Sequence, residues 1–592
     1  MNMLLNKVGS GALHLSTAID IAKTVCEDGF DHPAVVSMAS LGGDKRKNDE
    51  RDFHVWLKDL HCHHLELYTL WFDLYSPRDG RLIPTPIPAV PIWQMCHALF
   101  GGGPLQFKIS LVGQDGEPGL LAFWQNALRL PWGQRHPAVA GQSSHHLSRL
   151  LPLCLHLDGA EIFSNSEFYV LSFSSVMARG CSVLDAKFPV LKIPHSAIQE
   201  PERKKHAMRV MAAFVAWNFQ VLQTGRGPRA GFYGEPFDVE SVRASLIDKP
   251  LMGSFTAGCV GFKSDLKARK EAHFFAEHYG ATRVCERCYA RQPFPMVMRT
   301  PALKRFLYTD LSPDAAWRGS RISHEQYLVS AKELSPWFVI PGMRLEMVFW
   351  DLMHIGPLGI FRGLSAAMIV DFLERGELRN VNKELSLRQL WQEFREWCRS
   401  HGIHSFHGTL TRRILGQSKP TDIPEMHSCV KATTVKALVA FLAKKANEFV
   451  IPGDVYSETR SVCMWSAAEF FCVCDRAGVV LTDAQVGRLE YCGRLFTLSW
   501  ASFHNLTHGR NLLQPKPKLH LFEEMLIQTV EMRLNPKYIA CYGEESLLGK
   551  IKKLGQRCHG ATMLSTSMLR YFVFLAMRWD KRRKTGRWFI GD

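Results

Sequence analysis

Apolar and polar positions are spaced differently along successive stretches of this chain, and the changes in spacing predict its elements. From Phe53 to Tyr75 the recurrence of Trp56, Leu60, Leu67 and Leu70 predicts a helix. Ile83 to Pro91 is punctuated by prolines, each of which drives its predecessor out of the helical region, so an extended segment is expected. Trp93–Phe100 and Leu120–Leu130 have the spacing of short helices. Gly42 to Asp52 is a charged stretch of mixed sign and reads as an exposed linker. Residues 1–150 are therefore expected to form a mostly helical accessory region.

Near residue 150 the pattern shortens. Leu151–Asp158, Glu167–Ser174 and Ala186–Ile193 are apolar or alternating runs separated by turn formers, the signature of an antiparallel meander. Arg203 to Thr224 then carries Met208, Met211, Phe214, Trp217, Phe219 and Leu222 on one broad face of a helix. Ser254–Ser264 returns to strand character and Leu266–Tyr279 to helix. Three strands, a helix, a strand and a helix open an RNase H-like α/β fold, a mixed sheet flanked by helices, with its first part in residues 151–300. Amphipathic segments at Leu358–Glu377, Leu385–Ser400, Val430–Phe449 and Val462–Ala477 predict a large all-α insertion over 301–515. Residues 516–592 are helical and increasingly basic, and are expected to complete the core.

Composition narrows the class. A chain of 592 residues with 46% hydrophobic and 22% charged positions can bury a sizeable core. Its net charge of +16 favours a polyanionic partner, most often nucleic acid. The 16 cysteines are scattered, several in apolar runs, which suits reduced core thiols better than a disulfide framework. No window approaches the roughly 20 uninterrupted apolar residues of a membrane span, and no secretory signal is evident, so a soluble intracellular protein is expected.

Two aspartates end apolar runs: Asp158 in Leu153-Cys-Leu-His-Leu-Asp-Gly159, and Asp265 in Cys259-Val-Gly-Phe-Lys-Ser-Asp. A carboxylate at the tip of a buried strand is a way to present oxygen ligands to magnesium. Asp158-Gly159 is equally an ordinary turn, and Asp265 can cap the helix that follows; capping and metal binding are compatible. Cys285-Glu-Arg-Cys288 has the spacing of two zinc thiolates, with His273, His278 and Cys259 as candidates to complete the set. Asp351-Leu-Met-His354 places an acid and a histidine on one helical face.

In this order, the Leu-Asp158-Gly, Phe-Lys-Ser-Asp265, CxxC, Asp-x-x-His354 and late Glu elements resemble the DDE transposases of the CACTA superfamily (En/Spm and Plavaka relatives). The resemblance spans roughly residues 150–560. It implies a metal-dependent nuclease and strand transferase using two Mg2+ or Mn2+ ions held by Asp158, Asp265 and a third carboxylate, with one Zn2+ at Cys285 and Cys288. In that family the third carboxylate follows a Pro-x-x-His-like segment, here Pro517-Lys-Leu-His520. Matching the helix glycine to Gly549 selects Glu545, with Glu544 the close alternative because Leu548 and Ile551 put it near the core-facing side. Asp351 and His354 are expected to brace the site or orient flanking DNA.

Lys263, Lys267, Arg269 and Lys270 beside Asp265, and the C-terminal Lys581, Arg582, Arg583 and Lys584, are the candidate DNA contacts. The implied partners are double-stranded DNA at transposon ends and target, and further copies of the chain, in the nucleus. A derivative that binds DNA or protein without catalysis, or an RNase H-like nuclease acting on another nucleic acid, fits the same residues.

Overall fold

The computed structural model describes residues 4, 7–8, 13–41, 65–76, 79–163, 166–179, 181–378, 382–403, 408–419, 421–558 and 562–585. Its centre is a six-stranded mixed open sheet in the order β1-β2-β5-β4-β3-β6. The strands are β1 (Tyr68–Ser76), β2 (Arg81–Ala89), β3 (Leu150–Phe163), β4 (Ser166–Ser175), β5 (Phe188–Pro194) and β6 (Thr256–Lys263). All neighbours are antiparallel except β3 and β6, which run parallel. The parallel pair is possible because α4 (Pro201–Thr224) lies between β5 and β6 in the chain.

The three-strand, helix, strand, helix order expected over 151–273 is present. Leu150–Leu157 is buried on both faces, as suits a strand with a neighbour on either side. β3 does not stop at Asp158, however. It continues to Phe163, pairing Asp158 with Val170 and Gly159 with Tyr169. The helix expected over Leu266–Tyr279 is shorter: α5 (Leu266–His273) stops where Phe274 turns left-handed at φ 58°.

The N-terminal expectation needs correction. Residues 53–64 lie outside the described residues, but Tyr68–Ser76 is a strand, with Tyr68, Leu70, Phe72 and Leu74 buried and Thr69, Trp71 and Asp73 exposed. It pairs along its whole length with β2, and both belong to the central sheet, so this stretch is neither helical nor separate from the core. Pro84, Pro86 and Pro88 share one parity, which removes the donors from one edge of β2. The strand accordingly meets β5 only at Ala89. The region's helices include α1 (Leu15–Glu27), α2 (Ile92–Gly101) and α3 (Gly116–Leu128).

Among the described residues 300–515 there is no strand. One isolated bridge, Phe262 with Val348, adds a touch of chain beside β6. Here lie α6 (Phe361–Glu374), α7 (Lys383–Ser400), α8 (Ala432–Glu448), α9 (Val455–Arg476) and α10 (Asp483–Leu506), followed by α11 (Pro517–Met532). Their apolar faces form a second core with Trp317 and Trp350. Leu352–Glu374 is long and apolar enough to cross a membrane, but 83% of its most apolar window is buried inside the protein, as in a core helix. Finally α12 (Tyr542–Gly555) returns to β3, and α13 (Met563–Thr585) packs against α12, β2 and β5.

Candidate functional site

The pairing of β3 with β6 sets His156 opposite Lys263. Two residues further along each segment stand Asp158, still within β3, and Asp265. Asp265 lies just past the end of β6 and caps α5, its Oδ1 accepting from Ala268 N at 2.6 Å. Asp158 Oδ1 accepts from Gly159 N at 2.7 Å. The two carboxylates are close enough to raise the Asp158 pKa: burial pushes it well above the carboxylate range, and the charges of Asp265 and Glu545 push it further.

Helix α12 delivers the third carboxylate. Its core-facing residues Leu547, Leu548, Ile551 and Leu554 are buried. Glu545 leaves the helix beside Asp158, and its side chain keeps 42% exposure. Burial, followed by Asp351 and Asp265, raises the Glu545 pKa against the opposing charge of His354.

Asp351 and His354 join this cluster directly. Asp351 is buried and caps the short helix Leu352–Ile355, its oxygens accepting from Met353 N and His354 N at 3.1 Å each. It also accepts from Cys541 N at 2.8 Å, which ties the start of α12 to this turn. His354 Nδ1 meets Asp351, and its Nε2 stands 3.7 Å from Glu545 Oε1. Burial opposes the imidazolium, but the Asp351 hydrogen bond and the surrounding carboxylates raise the His354 pKa to about 9. A cation thus sits among four carboxylates.

Glu544 points elsewhere, into the core rather than to solvent or DNA. It is 1% exposed, with Lys263 Nζ at 2.6 Å and Lys187 Nζ at 2.8 Å. Although burial opposes its charge, the two lysines hold its carboxyl well below the usual range. The same contact removes Lys263 from the candidate DNA contacts. Arg269 is removed too: it is buried, paired with Glu286, stacked 3.8 Å over Trp350 and donating to the carbonyls of Val348 and Phe349. Lys267 is exposed and Lys270 half-buried, so both keep a surface. The side chains of Lys581, Arg582, Arg583 and Lys584 lie outside the described residues, although the helix runs to Thr585.

A second cluster lies apart from the carboxylates. Cys285, Cys288, His520 and Glu524 are all buried, with one ligand atom from each within 4.8 Å of the others, and together they could hold a metal ion. Cys288 Sγ stands 3.3 Å from His520 Nε2. His520 Nδ1 and both Glu524 oxygens are buried without a hydrogen-bond partner among the described residues. Burial, then Arg318 and Arg321, pushes His520 down to about 3, so its ring is neutral, the ligating form. The completing ligands expected from sequence were different. His273 instead bonds Ser335 Oγ at 2.7 Å, Cys259 faces Gly261 O, and His278 bonds Gly280 N. His520 and Glu524 are one turn apart on α11, an H-x-x-x-E spacing that was visible in the sequence 232 residues beyond Cys288 (520 − 288).

No protein-family model matches this chain, and it has no match among the curated proteins.

Proposed function

We propose that this chain is a DDE-type DNA transposase of the CACTA kind, cleaving and joining DNA at an RNase H-like core. In this reading residues 68–89, 151–300 and 516–592 build that core, and 301–515 is a helical insertion that returns the third carboxylate to it. The observation that carries it is the β3–β6 register, which ends with His156 opposite Lys263 and leaves Asp158 within the charge field of Asp265 and of Glu545, which lies 280 residues further along (545 − 265).

Three converging carboxylates are an all-oxygen donor set suited to Mg2+ or Mn2+. Burial and neighbouring carboxylates raise both Asp158 and Glu545, and a bound cation would favour their ionised forms. Bound there, a pair of such ions supplies an activated water or 3′-hydroxyl and stabilises the leaving oxygen. Asp351 orients His354, and His354 steadies Glu545 at the edge of the cluster. The second cluster suits zinc: two thiols, a neutral imidazole and one carboxylate make a closed four-ligand set. It would tie the segment following Asp265 to the helix preceding Glu545. The partners in this reading are double-stranded transposon ends and target DNA, with the chain acting as an oligomer in the nucleus.

The test is nicking of supercoiled plasmid by the purified chain with Mg2+ or Mn2+. Wild type should nick. Glu545→Gln should abolish nicking while DNA binding and its salt dependence stay as they were. A wild-type chain that binds DNA and never nicks is a non-catalytic derivative, and the reading fails.

A further inference from the structure

Lys518 stands on the first turn of α11, half-buried, and its stem runs across the turn that follows His354. Gly359 makes room for it. A methyl group at Gly359 would lie 2.7 Å from Lys518 Cδ, 3.5 Å from its Nζ and 2.8 Å from the His354 carbonyl oxygen. The ammonium therefore sits beside the Asp351–His354 turn, within the field of Asp265.

Its surroundings are unusual for a partly buried lysine. Lys516 neighbours it and is paired to Glu425 at 2.6 Å, while Arg362 spends its Nη2 on the carbonyls of His427 and Val430 at 3.5 and 3.2 Å. Lys518 has Lys516 and Arg362 as positive neighbours and the carboxylates of Glu425 and Asp265 in its field, yet it makes no hydrogen bond or ion pair of its own among the described residues. Holding an ammonium partly out of water, among like charges and without an acceptor, is costly unless an anion completes the set. Other lysines around the fold are committed: Lys187 and Lys263 to Glu544, Lys204 to Glu271 and Lys205 to Glu333.

We propose that Lys518 is a phosphate-binding residue of the DNA site, its ammonium gripping a backbone phosphate beside Asp265. This deepens the reading given above and rests on it. The role is positioning: a fixed point charge holds the sugar-phosphate chain so that the adjacent phosphodiester meets the carboxylates. Arg362 and Lys516 add to the positive potential, Lys516 while paired to Glu425. The lack of a side chain at Gly359 is what lets the Lys518 stem pass beside the His354 carbonyl.

The experiment uses the full chain, titrated with a fluorescent duplex over a salt series, and plasmid nicking in parallel. Lys518→Gln should lower the salt slope of binding by about one unit and weaken binding evenly across sequences. Nicking should fall about tenfold or more at limiting DNA, with Lys518→Arg recovering most of it. Lys444→Gln, which removes an exposed charge on α8, should leave nicking as it is. Unchanged slope and wild-type nicking in Lys518→Gln would overturn the proposal while leaving the nuclease reading intact. A wild type that binds without nicking, but whose slope still drops on Lys518→Gln, sinks catalysis and keeps the phosphate contact. A wild type that binds no DNA sinks both.

Discussion

Glu544→Gln is a sharper test of the fold than any change at the carboxylate cluster. The substitution keeps the shape of the side chain and removes one negative charge from between two buried ammoniums. Breaking a buried pair by deleting one partner costs about 3–5 kcal/mol, because the survivor is left charged and unpaired. Here the survivor has an escape. Burial already outweighs Glu544 at Lys187 and lowers its pKa, whereas at Lys263 Glu544 overcomes burial and raises it. Once the carboxylate is gone, Lys187 can shed its proton. From an unfolded value near 10.4, that costs about 4 kcal/mol at pH 7.5 and about 2 kcal/mol at pH 9.

The loss should therefore be about 4 kcal/mol at pH 7.5 and shrink to about half by pH 9. The signs agree with the wild type. Glu544 is depressed, so its contribution is complete above about 4.3 and is lost as pH falls; Lys263 is raised, so its contribution is complete below about 10.4 and is lost as pH rises. Denaturant unfolding of both chains at the two pH values, with hydrogen exchange localising the change to α12, measures it. A loss under about 1 kcal/mol at pH 7.5, or one that grows with pH, would refute the buried triad.

Asp158→Asn should raise the melting temperature of the metal-free chain. The wild-type carboxyl is pushed up by burial, Asp265 and Glu545, so a stability penalty builds as pH rises above the unfolded value of about 3.9, is complete once pH passes the raised folded value, and is absent at low pH. Mn2+ should raise the wild-type melting temperature and leave that of Asp158→Asn where it is; equal shifts in both chains would remove Asp158 from the ion site. Cys288→Ser, purified with zinc present, should lose the single bound zinc and melt at lower temperature, as structural zinc sites do; a wild type that carries no zinc and melts unchanged after chelation would dismiss that centre.

The sheet was readable where its strands are buried on both faces, because an unbroken apolar run such as Leu150–Leu157 has one interpretation once turn residues bound it. β1 was misread for a specific reason. Leu67 and Leu70 are three apart and fit a helix, while Tyr68, Leu70, Phe72 and Leu74 alternate and fit a strand; the β-favouring Tyr, Thr, Trp and Phe decide it for the strand. Asp158 and Asp265 were visible because each follows an apolar run, although β3 carries on past Asp158. Helical spacing put Glu544 on the core-facing side through Leu548 and Ile551, and there it lies, buried against two lysines; the spacing did not by itself select Glu545. That choice came from the glycine match. The sequence was silent on Lys187, the buried partner that faces Glu544, because only the sheet brings residues 187, 263 and 544 together. Lys263 and Arg269 looked like DNA contacts for the same reason: a basic residue's partner is invisible until the chain is folded.

The distance along the chain between Asp265 and Glu545 also has a consequence in time. A ribosome adding about 5–20 residues per second takes roughly 15 to 60 s to pass from one to the other. Throughout that interval β3 and β6 can be paired, with two carboxylates in register, while α12 does not yet exist. Any product that stops short of Cys541 keeps two of the three carboxylates and lacks both Glu545 and the backbone N–H that Asp351 holds. A nascent or truncated chain is thus a sheet with an unfinished cluster, and whatever chemistry the cluster performs waits until α12 has been made.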